Sequence, residues 1–367
     1  MRGRRAPALP QAAPASGEEV LRIDRLEVEF SGGPARTTAL RGVDLTLDAG
    51  RVLGLAGESG CGKTTSALAA MGLLSRGAVV RGSISYRGTE LLTLPEKELR
   101  RYRGRHLAMI FQETTTALNP VIRVGDQLMM AARTHVAGSR TEARDRVLAA
   151  LADVRLTDPE RVMASYPHEL SGGMCQRIII AMALSCGSRI LFADEPTTAL
   201  DVSVQEEILE LIRGLVTRRQ LAVLMISHDL AVLADVCDDI AVMYRGEIVE
   251  SGPAATVLGG PAHPYTQALL DCLPTLRGHQ DSLPELPSAA GDTAAAQGCR
   301  YLARCPWATD ACQAPPPLSP VVTGQPRMSR CWRSAAVLAH AARGGGGEPD
   351  GPGTDGAPVT SDDGSRG

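Results

Sequence analysis

Residues 57–64 are the part of the sequence best suited to chemistry. They read GESGCGKT and match the phosphate-loop pattern G-x-x-x-x-G-K-[ST]. Glycines let backbone N–H groups turn toward an anion, and a helix predicted over about 64–74 would point its positive end at that anion. Lys63, one of only two lysines in the chain, would add charge on the outer phosphates, and the Thr64 hydroxyl would bind Mg²⁺. The residues predicted to surround the phosphates are Gly57, Glu58, Ser59, Gly60, Cys61, Gly62, Lys63, Thr64 and Thr65.

Two carboxylates, Asp194 and Glu195, follow the apolar run at 190–193. In phosphate-loop proteins, a carboxylate in this position holds Mg²⁺. We expect Asp194 to bind the metal through water or together with Thr64, and Glu195 to polarise the attacking water. A strand that ends in Asp-Glu is common by itself, but downstream of a phosphate loop the pair indicates hydrolysis of a nucleotide.

A second predicted anion site lies at Ser171, Gly172 and Gly173, at the start of a helix predicted over 174–185. A hydroxyl and two glycines at a helix N-terminus favour an anion. One chain does not need two such sites for one triphosphate. The second site makes sense if it faces the phosphate loop of another subunit.

The elements that must position these residues alternate along the chain. Apolar patterns predict strands at 20–30, 39–47, 79–86, 107–111, 190–193 and 222–226, another strand immediately before the phosphate loop, and a hairpin at 240–250. Helical periodicity covers 124–154, 174–185 and 204–219. This alternation predicts a layered α/β fold.

Composition limits the function classes. The 367 residues are 44% apolar, enough for one large domain or two smaller ones. A net charge of −3 and an aromatic content of 3% argue against binding of nucleic acid. No apolar run reaches the roughly 18–20 residues of a membrane span, and the N-terminus lacks the apolar region of a secretory signal. We therefore expect a cytosolic protein whose nine cysteines are reduced or bound to metal.

The chain over roughly 20–255 resembles the ATP-binding-cassette (ABC) ATPases. The resemblance rests on LSGG at 170–173, Phe-Gln at 111–112, Asp-Glu at 194–195, ALD at 199–201 and a histidine at 228. It implies a RecA-like core with an antiparallel β subdomain and a helical subdomain. It also implies ATP and Mg²⁺ as ligands, and two cassettes that enclose two ATP molecules head to tail.

The same resemblance implies roles for individual residues. Gln112 would reach the metal and the attacking water, and Asp201 would contact the partner across the dimer. His228 would hydrogen-bond the γ-phosphate. Phe30 would stack on adenine, although it would serve equally well as a core residue of its strand. Met174 stands where glutamine is commonest in the family, which matters little because Ser171 and backbone N–H groups make the anion contacts.

Further stretches resemble the ATP-binding subunits of oligopeptide and dipeptide permeases. They are YPHELSGGM at 166–174, DEPTTALDV at 194–202, HPYT at 263–266 and the cysteine-rich segment at 298–332. The chain departs from this family at 113–116, where ETTT replaces the more usual Asp-Pro pair in a segment that helps contact the permease. The departure therefore concerns contact with the partner and leaves the catalytic residues unchanged.

Four cysteines in the C-terminal part of the chain are spaced C-x5-C-x6-C-x18-C. Four thiolates suit a [4Fe–4S] cluster or tetrahedral zinc, although the spacing is not that of a zinc ribbon. Reduced thiols without a metal are the third alternative. The cysteines are Cys299, Cys305, Cys312 and Cys331.

The resemblance and the composition together predict four segments. They are a disordered tail at 1–17, an ABC ATPase domain at 18–262, a cysteine-rich C-terminal extension at 263–338 and a low-complexity tail at 339–367. The expected partners are a second ATPase subunit, identical or paralogous, two transmembrane permease subunits and an extracytoplasmic binding protein. The chain would then lie on the cytoplasmic face of the membrane.

Other functions are weighed against peptide import. A nickel or other solute importer and a peptide exporter remain alternatives, because cassette sequences do not fix the substrate or the direction of transport. A cassette ATPase of translation or DNA repair is disfavoured by the single cassette and by the lack of long heptad insertions. A GTP switch is excluded, because the only asparagine, Asn119, precedes Pro120 and leaves no N-K-x-D motif.

Overall fold

The computed structural model of the chain describes residues 15–31, 36–112, 117–135, 138–198, 200–272 and 298–342. Several sequence predictions fall outside these residues. They are the ETTT departure at 113–116, Ala199 of the ALD motif, and most of both predicted terminal tails.

Strands and helices alternate along the chain as the apolar patterns predict. The strands are β1 (Glu19–Phe30), β2 (Thr37–Asp48), β3 (Val52–Ala56), β4 (Ala78–Tyr86), β5 (Thr89–Glu90), β6 (Leu107–Ile110), β7 (Ile190–Asp194), β8 (Ala222–Ile226), β9 (Asp239–Tyr244), β10 (Glu247–Pro253), β11 (Ser319–Pro320) and β12 (Met328–Ser329). The helices are α1 (Lys63–Met71), α2 (Glu96–Tyr102), α3 (Val124–His135), α4 (Arg140–Asp153), α5 (Pro159–Ala164), α6 (Gly172–Cys186), α7 (Val202–Arg219), α8 (Leu230–Val236), α9 (Ala254–Gly259), α10 (Pro264–Asp271) and α11 (Ser334–Ala342).

The first of two sheets is antiparallel, in the order β2-β1-β4-β5. Its central strand β1 pairs Val28 with Leu40 on one side and with Val80 on the other. Buried side chains recur at a period of two along parts of β1 and β2, and the period breaks where the register of the two strands shifts after Ile23. This sheet covers one side of the phosphate-loop region.

The second sheet is mixed, in the order β11-β12-β10-β9-β3-β8-β7-β6. Strands β9, β3, β8, β7 and β6 are parallel to their neighbours in this series, whereas β10 and β12 are antiparallel additions. Every residue of β7 and β8 is buried, because apolar layers cover both faces of the sheet. The parallel strands end at one common edge, where ligands of open α/β sheets bind.

Helices α3 to α6 form the region between β6 and β7. The helical pattern predicted over 124–154 is divided into two helices, because Ser139 and Glu142 form a capping box that begins α4. The helix predicted over 64–74 is shorter than expected. It ends at Met71 because Gly72 adopts the left-handed conformation that terminates helices.

The C-terminal extension attaches to the edge of the mixed sheet. In β12, Ser329 and Met328 pair with Glu250 and Ser251 of β10. The side chain of Glu250 is fully buried and accepts a hydrogen bond from Arg327 at 2.7 Å. Its carboxylate also accepts the N–H groups of residues 262 and 263. A carboxylate removed from water in this way is stabilised only because it is paired and fully hydrogen-bonded.

Candidate functional site

The phosphate loop joins β3 to α1 at the common edge of the parallel strands. Gly57 has φ 147° and Gly62 has φ 116°, values that favour glycine. A Cβ at Gly57 would clash with the carbonyl oxygen of Met243, and one at Gly62 would lie 2.7 Å from the Leu40 side chain. The glycines of the motif are therefore also required by close packing against β2 and β9.

Lys63 begins α1 and is 7% exposed. Its ammonium group donates to the carbonyl oxygens of Gly57 at 2.6 Å and Glu58 at 3.0 Å. The Cys61 thiol lies 3.9 Å from the same nitrogen, and burial raises its pKa. The lysine therefore lies inside the curve of the loop, with its charge available to an anion that enters there.

Thr64 and Asp194 lie together, as the sequence predicts. The threonine hydroxyl donates to Asp194 Oδ2 at 2.8 Å. Asp194 ends β7 and is 4% exposed, and burial raises its pKa although the Thr64 hydrogen bond opposes this. A hydroxyl and a carboxylate at this distance are the oxygen ligands that suit Mg²⁺.

Glu195 lies at the centre of a second cluster. Its Oε2 accepts Gln112 Nε2 and Thr198 Oγ1, each at 2.9 Å, and its Oε1 lies 2.9 Å from His228 Nδ1. Burial disfavours the charge, but hydrogen bonds from His228 and Thr198 lower the pKa of Glu195. Glu195, Gln112 and His228 follow β7, β6 and β8, so the parallel strands bring the predicted residues together.

Ser171 and Asp201 begin helices α6 and α7. The Ser171 hydroxyl accepts the N–H of Met174 at 3.3 Å, and Asp201 accepts the N–H of Val204 at 3.0 Å. Ser171 and Gly172 are exposed, and a Cβ at Gly173 would lie 2.6 Å from Val204. The two caps are thus neighbours on the surface, but their predicted contacts lie on a partner subunit, so their roles stay predictions.

Phe30 ends β1 and is half-buried against the core of the antiparallel sheet. It pairs with Thr37 of β2. Ala39, also in β2, has its carbonyl oxygen close to Gly62 of the phosphate loop. The strand position that pairs with Phe30 is therefore two residues from one that contacts the loop, and stacking on adenine stays a prediction.

Three residues at this site were not predicted from the sequence. Thr198 supports Glu195, whereas Arg304 and Tyr265 bind Glu58 of the phosphate loop from the C-terminal extension. Thr198 lies only three residues after Glu195, and this short separation is a signal from which their contact could have been predicted. The other two lie more than two hundred residues from Glu58, so no local pattern indicates them.

The four cysteines of the extension lie near one another. Burial, together with the neighbouring thiols, raises the pKa of Cys305 to about 12 and that of Cys331 to about 11. The backbone N–H of Cys299 donates to the carbonyl oxygen of Cys312 at 2.9 Å. However, no group of three or more His, Cys, Asp or Glu side chains in the described residues is arranged to hold a metal ion. The structure therefore gives no support for a formed metal centre, and no cysteine of the described residues forms a disulfide bond.

Within the described parts of the chain, no helix has both the length and the apolar content needed to cross a membrane.

Comparisons with known proteins agree with this geometry. A family model described as ABC transporter matches residues 40–198, and one described as oligopeptide/dipeptide transporter, C-terminal region, matches residues 249–312. A probable peptide ABC transporter ATP-binding protein of Sinorhizobium fredii is 44% identical over 87% of this chain and 96% of its own length. The dipeptide transport ATP-binding protein DppD of Escherichia coli is 42% identical over 85% of this chain and 96% of its own length.

Solved structures show the same fold. A dimeric ATP-binding cassette in a post-hydrolysis state, bound to ADP and Pi, aligns with 64% of this chain and 98% of its own. The TM-score is 0.57, and the sequences are 26% identical. The fold and the nucleotide site thus define an ABC-type ATPase.

The chain belongs to the ABC transporter family of ATP-binding proteins, in the branch whose C-terminal region is that of oligopeptide and dipeptide transporters. It is an ATP-binding transporter subunit that couples ATP hydrolysis to transport. The α/β cassette fold predicted from the sequence is confirmed.

Proposed function

We propose that this subunit drives the import of dipeptides and oligopeptides. The observation that carries the proposal is the match of the C-terminal region at 249–312, which follows a cassette whose motif residues meet at one sheet edge. Two relatives that align with this chain over nearly their whole length are named as ATP-binding proteins of oligopeptide and dipeptide transport. The boundaries that we propose for the cassette and the extension are 18–262 and 263–338.

The proposed roles follow from the contacts at the site. Lys63 and the loop N–H groups bind the outer phosphates, and Thr64, Asp194 and Gln112 supply oxygen ligands for Mg²⁺, which neutralises phosphate charge when bound. Glu195, held ionised, orients a water molecule and accepts its hydrogen bond. His228 is 65% exposed, so it is free to reach a γ-phosphate that enters the site.

A second subunit completes the site in this proposal. The exposed Ser171 and the N–H groups that begin α6 face the phosphate loop of the partner, and Asp201 lies at the same interface. The partner is a copy of this chain or a paralogue. Two permease subunits and an extracytoplasmic binding protein form the rest of the importer, which places this chain on the cytoplasmic face of the membrane.

The four cysteines of the extension are the ligands that we propose for a [4Fe–4S] cluster, with zinc as the alternative. Their mutual proximity supports the proposal, although the thiols are not in ligating positions in the structure. Protein purified without oxygen should be brown and contain iron and acid-labile sulfide near one cluster per chain. Colourless, iron-free protein with zinc, or without any metal, would exclude the cluster.

Uptake of labelled dipeptides and oligopeptides tests the transport function. A deletion strain would be complemented with the wild-type gene, with Lys63→Met or with Lys97→Met. Lys63→Met should abolish uptake because the phosphate loop loses its only ammonium group, whereas Lys97→Met, on α2, should transport normally. Normal peptide uptake by the deletion strain, or outward movement of peptide, would contradict import by this subunit.

A further inference from the structure

Arg304 of the C-terminal extension binds the phosphate loop directly. It lies in the short 3-10 turn Leu302–Arg304, immediately before Cys305, and its side chain is 4% exposed. Its Nη2 donates to Glu58 Oε1 at 2.8 Å and its Nη1 donates to Glu58 Oε2 at 3.2 Å. Two such bonds fix both the position and the plane of the carboxylate.

Aromatic residues hold Arg304 in this position. Its Nη1 also lies 3.2 Å from Tyr244 Oη, and the guanidinium carbon lies 5.6 Å from the ring centroids of both Tyr244 and Tyr301. Tyr301 belongs to the extension, and Tyr244 ends β9 beside the loop. A guanidinium packed against two rings has little freedom to leave its partner.

Tyr265 makes a second contact between the extension and the loop. The backbone N–H of Glu58 donates to Tyr265 Oη at 2.9 Å. The tyrosine is fully buried and its ring lies 4.6 Å from that of Tyr244. Both the backbone and the side chain of Glu58 are therefore held from outside the cassette motifs.

The carboxylate of Glu58 places a negative charge in a loop that binds anions. Glu58 lies next to Gly57, and its carbonyl oxygen accepts the Lys63 ammonium group. Its carboxylate is 31% exposed, so an unpaired negative charge there would be only partly screened by water. Such a charge would oppose a triphosphate and would also compete for Lys63.

We propose that Arg304 is a positioning residue for ATP: it neutralises Glu58 and, with Tyr265, holds the phosphate loop in its binding conformation. The C-terminal extension then sets the affinity of the cassette for nucleotide. This inference rests on the proposed binding of Mg-ATP by the loop.

The test measures ATP hydrolysis and equilibrium nucleotide binding by the full-length chain in its transporter complex. Arg304→Met should raise the KM for ATP about five- to twenty-fold, because an unpaired Glu58 repels the phosphates. The kcat should change less than about three-fold, since ground-state and transition-state phosphates are affected alike. Arg304→Lys should give an intermediate KM, because it keeps the charge without the planar fork.

A charge-pair cycle separates this role from a structural one. Adding Glu58→Gln to Arg304→Met should lower the KM by at least about three-fold relative to Arg304→Met alone, because the uncompensated charge is gone. If Arg304 only supports the fold, the double variant should bind ATP no better than the single variant. Arg304→Lys and the double variant also carry the test if Arg304→Met does not fold.

Arg300→Met is the matched control. Arg300 lies four residues upstream in the same extension and pairs with Glu247 of β10 at 3.4 Å, so its loss removes a comparable ion pair to the cassette. Its KM for ATP should stay within about two-fold of wild type. A wild-type KM in Arg304→Met, or an equal rise in Arg300→Met, would overturn the inference. Wild-type protein that shows no Mg-dependent ATP binding would instead overturn the proposed function.

Discussion

Glu195 combines a carboxylate that is fixed by its neighbours with a strained backbone conformation. Its backbone φ is 47°, a value that residues other than glycine rarely adopt. Such strain persists only where surrounding contacts enforce it, and here three side chains bind the carboxylate. Because its pKa is lowered, Glu195 is ionised at neutral pH and can accept a hydrogen bond from water.

Substitution of this residue gives the first prediction. Glu195→Gln keeps the shape of the side chain but cannot accept a proton, so kcat should fall about 10²- to 10⁴-fold. ATP binding should remain, and the ATP-bound dimer should persist long enough to isolate by size exclusion. Turnover would be measured by phosphate release at saturating ATP.

Glu206→Gln is the control for this prediction. Glu206 lies on helix α7, outside the cluster around Glu195, and its loss removes the same charge from the chain. It should hydrolyse ATP as wild type does. Unchanged turnover in Glu195→Gln would contradict the role of Glu195.

Residue types and spacing predicted most of the site. The predicted residues meet because each begins, ends or follows an element at one sheet edge, and the motifs keep these residues at fixed positions relative to those elements. They are Lys63, Thr64, Gln112, Asp194, Glu195 and His228. Arg304 and Tyr265 could not be predicted in this way. Their contacts with Glu58 depend on how the extension folds back, and no local rule fixes such a contact.

At the scale of elements, α10 depends on a buried histidine. His263 Nδ1 accepts the N–H of Tyr265 at 3.0 Å and so caps the helix that carries that tyrosine. The side chain is 1% exposed, and burial lowers the pKa of His263 to about 3. The neutral ring is therefore the form that the folded chain contains over most of the accessible pH range.

This burial predicts a dependence of stability on pH. Below the unfolded-state pKa of about 6.5, the unfolded chain binds a proton at residue 263 that the folded chain excludes. The free energy of unfolding that depends on neutral His263 therefore decreases as the pH falls through 6.5, and it keeps decreasing down to about pH 3. Between about pH 7.5 and pH 5.5, His263 should remove about 1.4 kcal/mol from the free energy of unfolding.

Urea unfolding of His263→Asn measures this contribution. Asparagine can still cap α10 but does not titrate, so the variant should lose less stability than wild type over the same pH interval. The difference between the two pH dependences isolates His263, because all other titrating groups are common to both proteins. Identical pH dependences would contradict a neutral, buried His263.

The sequence predicted elements better than their ends and connections. Continuous apolar runs indicated β7 and β8 because both faces of those strands are covered. Helix α4 begins where Ser139 caps it, and the spacing of apolar residues over 124–154 gives no sign of that boundary. The pairing of β12 with β10 joins residues about eighty positions apart, and two residues carry too little pattern to indicate a strand.

At the scale of the whole molecule, the exposed N-terminus of α6 is the feature on which the proposed dimer rests. Ser171 caps its own helix, and one triphosphate does not require two anion sites on one chain. If the partner is a second copy, each site takes its phosphate loop from one subunit and its serine from the other. The two halves of a site can then be inactivated separately.

Mixing two inactive variants tests this arrangement. Lys63→Met removes the phosphate-loop charge, and Ser171→Arg blocks the helix N-terminus, so each homodimer should be inactive. In an equal mixture that exchanges freely, half of the dimers are mixed and each contains one intact site, so about a quarter of all sites should be competent. Single-turnover hydrolysis of labelled ATP counts them directly. Because sites completed within one chain would leave every subunit defective, a mixture as inactive as its parents would contradict sharing between two copies.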